Sequence, residues 1–213
     1  MSSSYPPLID LIDFTKVIKL KVGQPSNQET FFAYPSILAS RSQFFKAALQ
    51  DCWKEGFTGE ISLPEDDPQV VHHYLYYAQA SRTPLSLLWF PCSPSSPSSI
   101  PTNKREAYNL LTHLLTLYIF ADKVQDPTTK AAILRRLYKL QAYYEVNYHA
   151  LFPDEEQVWM VYENTAKGDE ARKFVVDVFA RRGEEGGENA IERVCGGEIP
   201  GEFWVELGGS WWG

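Results

Sequence analysis

The sequence predicts an α+β fold: a small mixed sheet flanked by a helical cluster, followed by an all-helical C-terminal extension. Three observations carry this prediction. Strand-like and helical runs alternate over residues 17–79, apolar residues recur only at helical spacing beyond residue 108, and a Pro/Ser-rich stretch, PCSPSSPSSIP (91–101), lies between the two parts. The 213 residues are 44% hydrophobic and 22% charged, enough apolar material for a buried core. The net charge of -7 argues against a nucleic-acid surface, because phosphate contacts need clustered Lys and Arg. The densest basic run, ILRRLYKL (133–140), reads as the solvated face of a helix.

The elements follow in order. VIKLKVG (17–23) alternates apolar residues with Lys and ends on Gly, as a half-buried strand does. QPSNQ is a turn and ETFFAY its hairpin partner. Pro35 cannot donate to a ladder, so the strand stops and a short helix bearing Ile37, Leu38 and Arg41 begins. Ser42 is placed to cap a second helix carrying Phe44, Phe45, Ala48 and Leu49. EISL (60–63) is a short strand ended by Pro64, and Glu65, Asp66 and Asp67 precede a helix starting at Pro68. Val70, Val71, Tyr74, Leu75 and Ala78 form its buried stripe.

The Pro/Ser-rich insert, at about 84–106, cannot supply a core and is expected to link. Helices are then predicted over residues 108–125 and, capped by Asp126-Pro127, over TTKAAILRRLYKLQAYY. DEEQVWMVYENT, GDEARKFVVDVFARR and ENAIERVC are three further helical segments, with GEEGGE between the last two. IPGEFWVEL precedes GGSWWG, whose Gly residues predict a loose Trp-rich end. The expected division is an N-terminal segment (1–14), a domain over 15–150 and a helical extension over 151–213.

No pattern of residues assembles into an active site. His72 and His73 are neighbours on a helix, about 100° apart, and do not match the i, i+4 spacing of a chelating pair. His113 and His149 have no second ligand at metal spacing and read as core or interface residues. Cys52, beside Lys54, reads as a small buried hydrophobe, and with Cys92 and Cys195 it forms neither a disulfide framework nor a zinc motif. No G-x-S-x-G, P-loop or H-E-x-x-H is present. A non-enzyme without cofactor or metal is expected. The scattered cysteines, the acidic residues Asp10 and Asp13 in the N-terminal apolar run, and the lack of any run near ~20 apolar residues predict a soluble intracellular chain, in cytoplasm or nucleus.

Taken in order, VIKLKVG, ETFFAYPSILASRSQFFKAAL, WKEG and ISLPEDDPQVVHHYLYYAQ resemble the BTB/POZ domain. LYIFADKVQDPTTKAAILRRL is similar to that domain's second helical pair, and VYENTAKGDEARKFVVDVFA with IPGEFWVEL to the extension of fungal-type members. The resemblance implies a protein-interaction module that homodimerises through its first helix and N-terminal segment. Some members also bind cullin scaffolds as ubiquitin-ligase adaptors. Carried onto this chain, the dimer interface falls on Ile37, Leu38, Ser42 and Phe45, with residues 8–14 as an exchanged element. The partner surface falls on Leu63, Asp66, Asp67, Tyr74 and the helix from Pro127. No nucleic acid or membrane is expected among the partners.

The chain also departs from the family. Members acting as transcription factors carry an Asp at the first strand and His-Arg or His-Lys after the second, where this chain has Val17, Tyr34 and Pro35. The charged corepressor pocket therefore lacks its ions, which makes a transcriptional regulator the weakest reading. Two further readings stay open: a degenerate BTB chain scaffolding through its C-terminal helices, and an enzyme with an unrecognised site.

Overall fold

The computed structural model describes residues 15–50, 58–79, 103–147, 151–183 and 199–212. Among them the chain is mixed α+β, with one three-stranded sheet and eight helices. It divides into two compact units, Met1–Thr83 with Phe120–Thr129, and Pro84–Ile119 with Lys130–Gly213.

The first unit is built on the sheet. β1 (Ile18–Val22) pairs antiparallel with β2 (Glu29–Ala33), Ile18 opposite Ala33 and Val22 opposite Glu29. β3 (Glu60–Leu63) returns parallel to β1, Leu20 opposite Ile61, in the order β2-β1-β3. The alternation that predicted β1 buries Ile18, Leu20 and Val22 and leaves Lys19 in solvent, while Lys21 pairs with Glu60 at 2.6 Å. Gly23 leaves β1 at φ +91°, a conformation a side chain would oppose, and its N–H donates to Leu63 O at 3.0 Å. After β2 come α1 (Pro35–Arg41) and α2 (Gln43–Ala48), and after β3 comes α3 (Pro68–Gln79). The stripe Val70, Val71, Tyr74, Leu75 and Ala78 is buried as the period requires, with Tyr77 added to it.

Long helices dominate the second unit. α4 (Lys104–Lys123) passes into the first unit from Phe120 on, and α5 (Pro127–Asn147) belongs to the second from Lys130 on. α6 (Glu155–Asn164), α7 (Glu170–Gly183) and α8 (Gly201–Trp212) complete it. Tyr138 meets Phe174 edge-on at 5.1 Å, Phe152 meets Phe179 at 5.3 Å, and Phe203 meets both Tyr162 at 6.0 Å and Phe179 at 5.3 Å.

Three features bear on the expected division. Gln157 Nε2 donates to Thr112 Oγ1 at 2.7 Å and Tyr118 to Asp169 at 2.8 Å, and α4 up to Ile119 shares one unit with the helices beyond residue 151. Asn103 Oδ1 accepts from Arg105 N at 2.9 Å, and α4 starts at Lys104. α8 continues helically over Gly208 and Gly209 to Trp212. The segment 8–14, the run 91–101, ENAIERVC, Cys52, Lys54, Cys92, Cys195 and His149 lie outside the described residues.

Candidate functional site

The residues singled out in the first unit surround one buried polar node. Ser42 separates α1 from α2: its N–H donates to Leu38 O at 2.9 Å, and its Oγ accepts from Phe45 N at 3.1 Å. The same Oγ donates to Val124 O through a short hydrogen bond. One residue earlier, Arg41 donates from Nε to Asp126 Oδ2 at 3.2 Å and from Nη2 to Thr129 Oγ1 at 2.9 Å. The Tyr74 hydroxyl donates to Asp126 Oδ2 at 3.2 Å. Thr129 donates to the same carboxylate from its backbone N at 2.9 Å and from its Oγ1 at 2.8 Å. Asp126 is fully buried, yet these donors and the Arg41 charge replace the water it lost. Burial, followed by the Asp126 charge and hydrogen bond, drives the Tyr74 phenol far above its ordinary range.

Of the residues expected at the dimer face, Leu38, Ser42 and Phe45 are buried within the first unit and Ile37 is half-buried. The exposed aromatic of the helix pair is instead Phe44, packed edge-on against Phe45 at 5.2 Å with 37% of its surface in solvent. Of the expected partner surface, Leu63 and Tyr74 are core residues, and Tyr74 stands 5.1 Å from Phe120. Asp66 binds Lys123 Nζ through both oxygens, at 2.8 and 2.9 Å. Asp67 is exposed but accepts from Gln69 N at 2.7 Å, which starts α3. Pro127 is exposed at the start of α5.

Outward-facing aromatics were missed, although periodicity contains them. Phe31 turns inward and stacks on His72 at 5.8 Å, so its neighbour Phe32 faces out, 60% exposed, across from Lys19. The stripe that buries Tyr74 leaves Tyr76 on the opposite side of α3, 52% exposed. His72 and His73 do not splay apart: their rings lie nearly parallel, 5.6 Å between centroids. His113 is half-buried on α4. Among the described residues no three His, Cys, Asp or Glu side chains converge on a metal position, and no helix is long and apolar enough to cross a membrane.

What this geometry offers is a sheet-and-helix unit joined by a buried ionic node, with Phe32, Phe44 and Tyr76 on its outside. No family model matches the chain.

Proposed function

We propose that the chain is a non-catalytic interaction module of the BTB type, acting inside the cell, which self-associates and recruits a protein partner. A cullin ubiquitin-ligase scaffold is the partner to test first. The observation that carries this reading is the path of the first unit. A β-hairpin, two short helices, a third strand parallel to the first and a further helix follow the motif order on which the resemblance rests. The exposed Phe32, Phe44 and Tyr76 add support, since aromatics concentrate binding energy at interfaces. In this reading Phe44 and Ile37, on the outside of the helix pair, replace Leu38, Ser42 and Phe45 as the self-association face.

Light scattering of the purified chain at tens of micromolar tests the proposal. A dimer is expected, with Phe44→Glu giving a monomer whose far-UV circular dichroism matches that of the wild type. A wild-type monomer at that concentration would overturn self-association. Capture of a purified cullin N-terminal domain then tests the partner.

One observation favours a second reading, a scaffold acting through its C-terminal helices: α8 leaves Trp204 42% exposed and Val205 still more so. In that case the wild type is monomeric, and Trp204→Ala rather than Phe44→Glu abolishes partner capture.

A further inference from the structure

The basic run of α5 carries charge that its own unit does not neutralise. Ala131, Arg135, Lys139, Ala142 and Val146 recur at three- and four-residue spacing and so lie along one side of the helix. All of them are exposed, Val146 to 83%. Other cations of the unit meet carboxylates within it. Lys130 meets Asp169 at 2.6 Å, Lys173 meets Glu170 at 2.6 Å, Arg181 meets Glu145 at 3.8 Å, and Arg172 pairs with Glu202. Arg135 and Lys139 make neither an ion pair nor a side-chain hydrogen bond among the described residues.

The helix sets these two cations against each other. Standing one turn apart they repel, and no carboxylate lies three or four residues from either of them. On the adjoining α7, Asp177 is taken by the Tyr138 hydroxyl at 2.8 Å and Glu170 by Lys173. The arrangement slightly destabilises α5, and no described contact inside the unit offsets it. Ile133, Leu137, Leu140 and Tyr144 are buried on the other side of the helix and hold this face outward. The face therefore exists before any partner arrives, which lowers the ordering cost of binding.

We infer that this face of α5 docks an acidic, amphipathic segment of a partner protein. Carboxylates one turn apart on the segment meet Arg135 and Lys139 and remove their mutual repulsion. Ala131 and Ala142, being small, let the segment come close to the α5 backbone. Val146, two turns beyond Lys139, packs on an apolar side chain of the same segment. The charge of the face sets the sign of the occupant, and its apolar end sets the class. A pair of free cations is too few to hold a phosphate backbone, to which Val146 offers nothing. The face belongs to the second unit, so the inference rests neither on self-association of the first unit nor on the cullin reading.

The test is titration of the full-length protein into a fluorescein-labelled helical peptide at physiological ionic strength, read by anisotropy. The peptide bears two Glu one turn apart and a Leu two turns further on. Saturable binding is expected, weakened about fivefold to tenfold by Arg135→Gln/Lys139→Gln, with a shallower salt dependence. Val146→Ser is expected to weaken it about threefold. The reversed pair Arg135→Glu/Lys139→Glu is expected to lose this peptide and to bind one in which Lys replaces both Glu. As a control, Lys19→Gln/Lys167→Gln removes the same charge from exposed positions elsewhere and is expected to change affinity by less than about twofold. The Gln pair on α5 should melt at or above the wild-type temperature, because it removes a repulsion. The inference is overturned if the peptide does not bind, or if the control pair weakens binding as much as the α5 pair. It is overturned too if the α5 Gln pair binds the peptide as well as wild type does or melts well below it, or if the reversed pair still prefers the Glu peptide. Tighter binding of a single-stranded oligonucleotide than of the peptide, or a changed oligomeric state in the α5 pair with peptide binding intact, equally overturns it.

Discussion

Asp126 shows how much one side chain can hold together. It accepts four hydrogen bonds from Arg41, Tyr74 and Thr129 while wholly removed from water. Removing one neutral donor and removing the acceptor should therefore cost very different amounts. Tyr74→Phe deletes one hydrogen bond and keeps the ring against Phe120, an expected loss of about 1 kcal/mol. Asp126→Ala strips the partner from a largely buried guanidinium and from two hydroxyls, an expected loss of about 3 kcal/mol or more. Urea denaturation of both variants checks the contrast; equal losses would mean that the node is not the anchor of this unit. The phenols make a second prediction. Burial first, and then carboxylates at Asp126, Asp177 and Glu206, raise Tyr74, Tyr138 and Tyr162 above the ordinary phenol value in the folded chain. A proton held more tightly in the folded state contributes stability that is complete below the unfolded phenol pKa of about 10 and lost as pH climbs above it. Stability should fall from about pH 10 to about pH 12, and Tyr138→Phe, which removes one of these groups, should make the fall shallower. A flat urea midpoint across that range would refute it. Asp169 has the opposite sign: burial opposes its ionisation, but hydrogen bonds from Lys130, Ala171 N and Tyr118 outweigh burial and hold it below the usual carboxylate range. Its contribution is present at neutral pH and lost as acid protonates it.

At the scale of the element, two kinds of glycine should respond oppositely to the same substitution. Gly23 has φ +91°, and an added Cβ would lie 3.1 Å from both Asn27 O and Pro68 Cγ; Gly23→Ala should cost more than about 1 kcal/mol. Gly208 and Gly209 lie within α8 with nothing within 4 Å of an added Cβ. Replacing both by Ala should stabilise the chain by about 1–2 kcal/mol, seen as a raised melting temperature. No rise would mean that α8 stops before them. This pair also marks where the sequence is a good guide and where it is not. The alternation of β1, the Ser42 cap and the buried stripe of α3 were legible because each is set within a few residues. The parallel pairing of β3 with β1 was not, since it joins residues about forty positions apart and leaves no local pattern. The Asp126 node joins positions 41, 74, 126 and 129, and only its last two members share a window of sequence. For the same reason the expected interaction residues were taken from a motif, while burial depends on what packs above them. Leu38 and Phe45 lie inside, and Phe44 lies outside.

For the molecule as a whole, the tail is part of a unit and not an appendage to it. Gln157 bonds Thr112, Asp169 bonds both Tyr118 and Lys130, and Asp177 accepts from Tyr138 at 2.8 Å. Each bond ties a residue beyond 151 to α4 or α5, and Phe174 packs its ring on Tyr138. Ending the chain after Phe152 would remove Phe174, Phe179 and Phe203 from this core and leave the inward-facing Leu111, Leu114 and Leu137 without part of their cover. The truncated chain should therefore lose more helix than the deleted residues account for, and melt broadly. Far-UV circular dichroism and a thermal scan measure both. A truncated chain with a sharp transition at the full-length temperature would show that the first 152 residues fold alone, as the sequence boundary at 151 implies. If it melts broadly instead, loss of cullin capture on truncation would report unfolding and not a missing docking arm. The proposed surfaces are then separable only by single exposed substitutions such as Phe44→Glu and Trp204→Ala, made on the outside of each unit.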